Sequence, residues 1–429
     1  MEGRDARPGQ NSLFRLTTLV AEGSVQYSPG GKVRHSEKVW QQGMSRRQAI
    51  AGLATFIATS PLARAQQDPA SLGIHRRVPG FSEMITPWDF EDVFRSNVPL
   101  AVYDYTARGT DSEFTMRRNR ESFEWVKLVG GSPVDHAAVD TSIEIFNSQL
   151  TAPIMLAPTA RQRPLHPDGE IGMYEAATAA NATMIVSHAS SFPFEHIAKA
   201  ASGPLWFQFY PRPDLTLSRE ILHDAQEAGC EAVVVTIDQQ ASAYERALHN
   251  RHLGGTPRII ERPTKEEHGN AYGVSPGRLW YEWQYLADIR PMISVPMLAK
   301  GILTGEGALR CIELGCDGIV VSNHGGRALD YGPSTLEVLV EVVDAVQGRV
   351  PVLIDSGFRR GVDVLKALAL GANAVCLGRV PRWGLGAFGA PGAQKALEII
   401  QGELLQAMAS IGAASLAAIN RSVVKTNFP

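Results

Sequence analysis

The chain has 429 residues, enough for two or three domains or for one (β/α)8 barrel with an N-terminal extension. Hydrophobic residues make up 44% and charged residues 20%, the balance of an ordinary globular protein. A formal net charge of -3 argues against a nucleic-acid partner held by bulk electrostatics. The cysteines Cys230, Cys311, Cys316 and Cys376 form no CxxC pair and lie in or beside apolar runs, so no disulfide framework or metal site is readable from them and small buried hydrophobes are expected.

Residues 1–43 are polar and lack strong periodicity. From Met44 the chain reads MSRRQAIAGLATFIATSPLARAQQ: an Arg46-Arg47 pair, an uncharged and mostly apolar stretch from Ala49 to Leu62, then the small-x-small pattern Ala63-Arg64-Ala65. The apolar stretch falls short of the roughly 20 residues a membrane span needs. This is the layout of a twin-arginine export signal, which places the expected translation start at Met44 and divides the chain into an extension plus signal, 1–65, and a mature domain, 66–429. The expected destination is the periplasm. If the segment is instead an ordinary amphipathic helix, the protein stays in the cytoplasm. No segment after Gln66 is long and apolar enough to span a membrane.

From Ala152 onward, short apolar runs alternate with helical patterns, the signature of βα units around a parallel sheet. The runs are Ile154–Ala157, Thr183–Val186, Leu205–Phe209, Ala232–Thr236, Met297–Lys300, Gly318–Ser322, Val352–Asp355 and Ala374–Leu377. Helices are expected between them, such as Leu217–Ala228 and Gly361–Ala369. Eight strands close a barrel, whereas a doubly wound open sheet more often has five to seven. The fold class is therefore α/β, a (β/α)8 barrel with an N-terminal helical extension. The connection from Thr236 to Met297 is long and includes the polar stretch Arg258 to Gly277, as expected of a lid or substrate loop or of a disordered insertion.

Chemistry in such barrels collects at the C-terminal strand ends. Those ends read Pro158-Thr159-Ala160, Ser187-His188, Gln208-Phe209-Tyr210, Thr236-Ile237-Asp238, Lys300, Ser322-Asn323-His324, Asp355-Ser356-Gly357 and Gly378-Arg379. Polar groups sit at nearly every mouth, which a purely structural barrel does not need. Barrels often bind phosphate between the loops after strands seven and eight. There Gly357 and Gly378 let backbone N–H groups approach an anion, and Arg359 and Arg379 add charge-assisted bonds. Asp355 suits hydroxyl groups better than phosphate, because like charges repel. His188, Trp280 and Trp283 either line the site or pack.

The stretch SNHGGRALD, Ser322 to Asp330, resembles the signature of the FMN-dependent α-hydroxy acid oxidases and dehydrogenases, such as glycolate oxidase and lactate oxidase. VYDYTARG (Val102 to Gly109), IMLAPTA (Ile154 to Ala160), WFQFY (Trp206 to Tyr210), LAKG (Leu298 to Gly301), IDSGFRRG (Ile354 to Gly361) and LGR (Leu377 to Arg379) match in order. The resemblance runs from about Phe90 to the C-terminus. It implies FMN as cofactor and oxidation of a small L-2-hydroxy acid to the 2-oxo acid. His324 would be the base that takes a proton from substrate while an electron pair passes to the flavin, and Asp238 would orient its imidazole. Tyr105, Tyr210 and Arg327 would hold the substrate carboxylate and hydroxyl, a task that suits a guanidinium fork. Lys300 would face the flavin N1–O2 edge and stabilise negative charge there. Gln208, Thr236, Ser187 and Ser322 would hydrogen-bond the ring, and the Pro158, Thr159 and Ala160 backbone would pack against it. Asp355 would meet the ribityl hydroxyls, and Gly357, Arg359, Gly378 and Arg379 the phosphate. Assembly into homo-oligomers, tetramers or larger, is also implied.

Two departures bear on the substrate. The family reads TVDTPRLGRRE where this chain reads TIDQQASAYER, from Thr236 to Arg246, so Glu245 stands at the ungapped position of a clamp arginine. Either Arg246, one residue on, replaces it, or the substrate is held by Arg327 alone. Near Ala189 many members carry an aromatic residue, and its absence predicts a roomier pocket. Ala160 resembles the oxidases, which points to O2 as electron acceptor, with another acceptor as the alternative. Two rival readings are an FMN-dependent isomerase and a flavin-binding protein with an altered substrate clamp.

Overall fold

The computed structural model describes residues 78–238 and 282–429. Within them each predicted apolar run forms a strand: β1 Ile154–Leu156, β2 Met184–Ser187, β3 Leu205–Phe209, β4 Val233–Thr236, β5 Met297–Ile302, β6 Gly318–Val321, β7 Val352–Ile354 and β8 Ala374–Leu377. The strands are parallel and form a closed barrel. Closure comes from β8 against β1, where Val375 pairs with Ile154 and Leu377 with Leu156.

The two-residue period of a strand decides which side chains face inward. Every strand contributes to a buried inner layer, with Met155, Ile185, Trp206, Val234, Leu298, Val320, Leu353 and Cys376, and β8 adds Ala374. Their neighbours, such as Leu156, Val186, Phe207 and Val235, face the surrounding helices and belong to a separate outer core. All four cysteines are buried and free, as small hydrophobes. A hairpin, Ile143–Ile145 paired with Ser148–Leu150, presses Ile145 and Leu150 into the inner layer. Ser148 Oγ also accepts the indole N–H of the fully buried Trp206 at 3.1 Å. Truncating Trp206 to alanine is expected to cost about 3–5 kcal/mol.

The helices are α1 Asp89–Asn97, α2 Leu100–Ala107, α3 Phe114–Glu121, α4 Gly169–Ala179, α5 Phe194–Ala198, α6 Leu215–Glu227, α7 Gln284–Ile289, α8 Gly305–Glu313, α9 Thr335–Val346, α10 Gly361–Ala369 and α11 Arg379–Ile411. Helix α6 starts two residues before the sequence expectation, because the Asp214 carboxylate accepts the N–H groups of Thr216 and Leu217 and caps it there. Helix α10 runs over the expected residues. Helix α11 leaves helical geometry at Phe388 and Gly389.

Helices α1 to α3 form the N-terminal extension, and hydrogen bonds tie it to the C-terminal ends of the strands. Thr110 N–H donates to Gly326 O at 2.9 Å. The Asn119 and Asn323 amides exchange two bonds, at 2.9 and 2.8 Å. A short antiparallel ribbon of Val126–Leu128 with Val424–Thr426 holds the C-terminal tail beside the extension.

Candidate active site

Two residues beyond the apolar inner layer, each strand turns its next inward position to the mouth. Those positions are Ala157, Ser187, Gln208, Thr236, Lys300, Ser322, Asp355 and Gly378. Six of the polar strand ends read from the sequence, Ser187, Gln208, Thr236, Lys300, Ser322 and Asp355, thus fall in one layer of the barrel. Lys300 is 3% exposed and donates to Ser322 Oγ at 2.7 Å. Its Nζ lies 3.3 Å from Asp355 Oδ2 and 4.0 Å from Asp238 Oδ2. Burial alone would lower the lysine pKa, but Asp355 and then Asp238 overcome it and raise the value above the ordinary one. A buried cation held this way stays charged, because losing its proton would strand two carboxylates.

Above this layer lies a histidine–carboxylate pair. His324 Nδ1 is 2.9 Å from Asp238 Oδ1. Burial would raise the Asp238 pKa, but Lys300 and then His324 hold it below the ordinary aspartate value. An ionised Asp238 accepts from Nδ1–H, which leaves the lone pair of a neutral ring on Nε2. His324 sits at φ +58°, a left-handed conformation uncommon outside glycine, and its own N–H donates to Ser322 Oγ at 3.1 Å.

Arg327 meets the extension. Its guanidinium stands 4.7 Å from the Tyr105 ring centre, and Nη1 donates to Tyr105 O at 2.6 Å and to Arg108 O at 2.9 Å. Burial lowers its pKa, and Tyr105 and Tyr210 work against that. Tyr210 interacts electrostatically with both Lys300 and Arg327. Its N–H donates to His188 Nδ1 at 3.2 Å. His188 stacks on Phe209 at 5.5 Å and its Nε2 lies 3.1 Å from Arg212 Nη2, so it packs between β2 and β3 and does not line the mouth.

A model of the family described as FMN-dependent dehydrogenase matches residues 94–426, more than half of the chain. The chain is 36% identical to a peroxisomal (S)-2-hydroxyacid oxidase of Arabidopsis thaliana, over 79% of this chain and 95% of that one. It is 37% identical to a 2-hydroxyacid oxidase of Dictyostelium discoideum, over 76% of this chain and 86% of the other. Among solved structures, mandelate oxidase with benzoyl-formic acid superposes with a TM-score of 0.71 at 35% identity, covering 80% of this chain and 98% of that one. The chain belongs to the FMN-dependent α-hydroxy acid oxidase family.

Membership makes FMN the cofactor, and the buried polar atoms of the mouth fit it. Gln208 Oε1 accepts from Ser187 Oγ at 3.2 Å and from His188 N–H at 3.3 Å, which fixes the amide and leaves Nε2 buried without a partner among the described residues. Thr236 Oγ1 is likewise buried and unpartnered. Such groups carry a penalty of about 1–3 kcal/mol each unless a ligand satisfies them. The polar edge of an isoalloxazine ring offers the matching acceptors and donor.

The phosphate end fits as well. Ser356 and Gly357 turn through φ +79° and +90°, and a Cβ on Gly357 would overlap the backbone of Asn119. Arg359 is buried, donates to Phe358 O at 2.8 Å, and keeps Nε without a partner among the described residues. Arg379 donates to the carbonyls of Thr106, Gly325 and Arg108 at 2.8, 3.0 and 3.1 Å. Burial and then neighbouring arginines push the pKa of Arg359 to about 10 and that of Arg379 to about 9, so both remain cationic at neutral pH. Neither has a carboxylate within 4 Å among the described residues, which leaves their charge available to a bound phosphate.

Asp355 has a second engagement that the sequence reading missed. Besides any ribityl hydroxyl, it faces Lys300 and accepts from Ser356 Oγ at 2.7 Å. Arg382, buried one turn into α11, was also missed; it is the lone charge between Arg379 and Lys395, and that isolation was its signal. Trp283 is exposed. Arg246, Glu245, Trp280 and the export segment lie outside the described residues.

Proposed function

We propose that this enzyme oxidises a small L-2-hydroxy acid to the 2-oxo acid with His324 as the base. The observation that supports the reading is the 2.9 Å contact from His324 Nδ1 to Asp238 Oδ1, which leaves Nε2 as the nitrogen that can take a proton. FMN, when bound, supplies the two-electron acceptor. His324 Nε2 takes the proton, and Asp238 stabilises the imidazolium that forms. Tyr105, Tyr210 and Arg327 hold the substrate carboxylate and hydroxyl, with Arg246 as a second clamp. Lys300 would hold its positive charge against the polar edge of the ring when FMN is bound. The substrate loses two electrons and two hydrogens, and dioxygen as terminal acceptor leaves as hydrogen peroxide. Ala160 supports the choice of dioxygen. The acids named for the relatives support the substrate class, and the altered stretch from Gln239 to Arg246 argues against assuming any one of them. The Arg46-Arg47 segment supports export of the folded 66–429 domain by the twin-arginine route, and family membership supports a homo-oligomer. Turnover with a panel of L-2-hydroxy acids tests the reading: 2-oxo acid and peroxide should form in equal amounts. No oxo acid with any member would refute it.

A further inference from the structure

Arg382 is 3% exposed, in the first turns of α11 beyond β8. Its Nη1 donates to Ala160 O at 2.8 Å, and its Nε and Nη2 both reach Thr106 Oγ1 at 3.1 Å. One guanidinium therefore ties the β1 mouth to the helix that carries Tyr105. Its centre is 5.6 Å from the Tyr105 ring, which Arg327 approaches at 4.7 Å. No carboxylate lies within 4 Å of it among the described residues, and Tyr105 and then Glu170 favour its charge against burial. Burial lowers its pKa only to about 10, so it stays charged. An unpaired buried charge is costly, and packing alone would be served as well by an apolar side chain.

We infer that Arg382 is a positioning residue that sets the preference for a carboxylate substrate. It fixes Ala160 and Tyr105 relative to each other and adds a second positive charge on the Tyr105 side of the pocket. The inference rests on the hydroxy acid reading above.

The test compares Arg382→Gln, Arg382→Met and Arg382→Lys in the FMN-loaded full chain. Two quantities are read: the ratio of kcat/KM for a 2-hydroxy acid to that for its primary amide, and the Kd of oxalate from perturbation of the flavin band. Arg382→Gln keeps hydrogen-bonding capacity but deletes the charge. It should lower the acid-to-amide ratio at least tenfold and raise the oxalate Kd by a similar factor, as should Arg382→Met, while Arg382→Lys stays within about threefold of the parent. A purely structural role would slow acid and amide alike, and an unchanged ratio with an unchanged oxalate Kd overturns the inference. If Arg382→Met does not fold, the Gln and Lys variants decide. If the parent turns over no hydroxy acid, the functional reading falls separately, and oxalate affinity alone decides for Arg382; a parent that does not bind oxalate overturns it.

Discussion

Asp238 occupies the space that a side chain on Gly301 would need: a Cβ built on Gly301 would overlap the Asp238 Cβ and crowd its carboxyl carbon at 2.8 Å. Gly301 sits at φ +110°, where β5 slips register against β6 between Lys300 and Ile302, and Ile237 N–H donates to Lys300 O at 2.9 Å. The irregularity brings strand β4's aspartate over strand β5 and towards His324. Gly301→Ala should therefore displace Asp238, lowering kcat about tenfold or more while KM and FMN content change little. Steady-state kinetics with a flavin absorbance assay checks this, and an unaltered kcat would show that the bulge does not position the aspartate.

The pair itself should be far more sensitive. His324→Gln removes the base and is expected to lower kcat by about 10²–10⁴-fold. Asp238→Asn leaves the ring without its carboxylate and should also cost heavily. Both variants should retain the flavin spectrum, since neither supplies the unpartnered Gln208 and Thr236 groups that fit the ring.

Lys300 neutralises two buried carboxylates, so its loss is a stability question as well as a cofactor question. Lys300→Met strands Asp355 and Asp238, at a cost of about 3–5 kcal/mol before relaxation. Adding Asp355→Asn should recover part of that loss, because the two sites share one network. Denaturant midpoints for the two single variants and the double variant test the coupling. Simple additivity of the two effects would count against it.

His188 gives a pH dependence of defined sign. Burial and then Arg212 depress its pKa from 6.5 to about 4. The unfolded chain takes up this proton near pH 6.5 and the folded chain near 4, so stability is fully present above pH 6.5 and falls as pH drops towards 4. The contribution is roughly 3 kcal/mol. His188→Asn keeps an acceptor for Tyr210 N–H but does not titrate. Urea midpoints at pH 7.5 and 4.5 should therefore differ less in the variant than in the parent.

The barrel was legible because strand period and strand ends carry separate signals. Residues such as Val234 and Thr236, two apart on one strand, fall in the apolar layer and the polar mouth, and the sequence displays both. The histidine, its aspartate and the arginines were legible through motifs at those mouths. Arg382 shows in the sequence only as an isolated charge, and its partners do not, since Ala160 and Thr106 are far from it in sequence. The same holds for Asp355 and Lys300, joined only because β5 and β7 flank β6 in the barrel. His188, next to Ser187 in sequence, points the other way because adjacent strand residues alternate faces, and Phe207 and Phe209 receive it there.

The most direct test of the central claim is an anaerobic titration of the FMN-loaded protein with a panel of L-2-hydroxy acids, followed in the flavin band near ~450 nm. Bleaching by at least one acid, abolished in His324→Gln, is the predicted result. A flavin band that persists with every acid, or bleaches equally well without the histidine, would contradict the account.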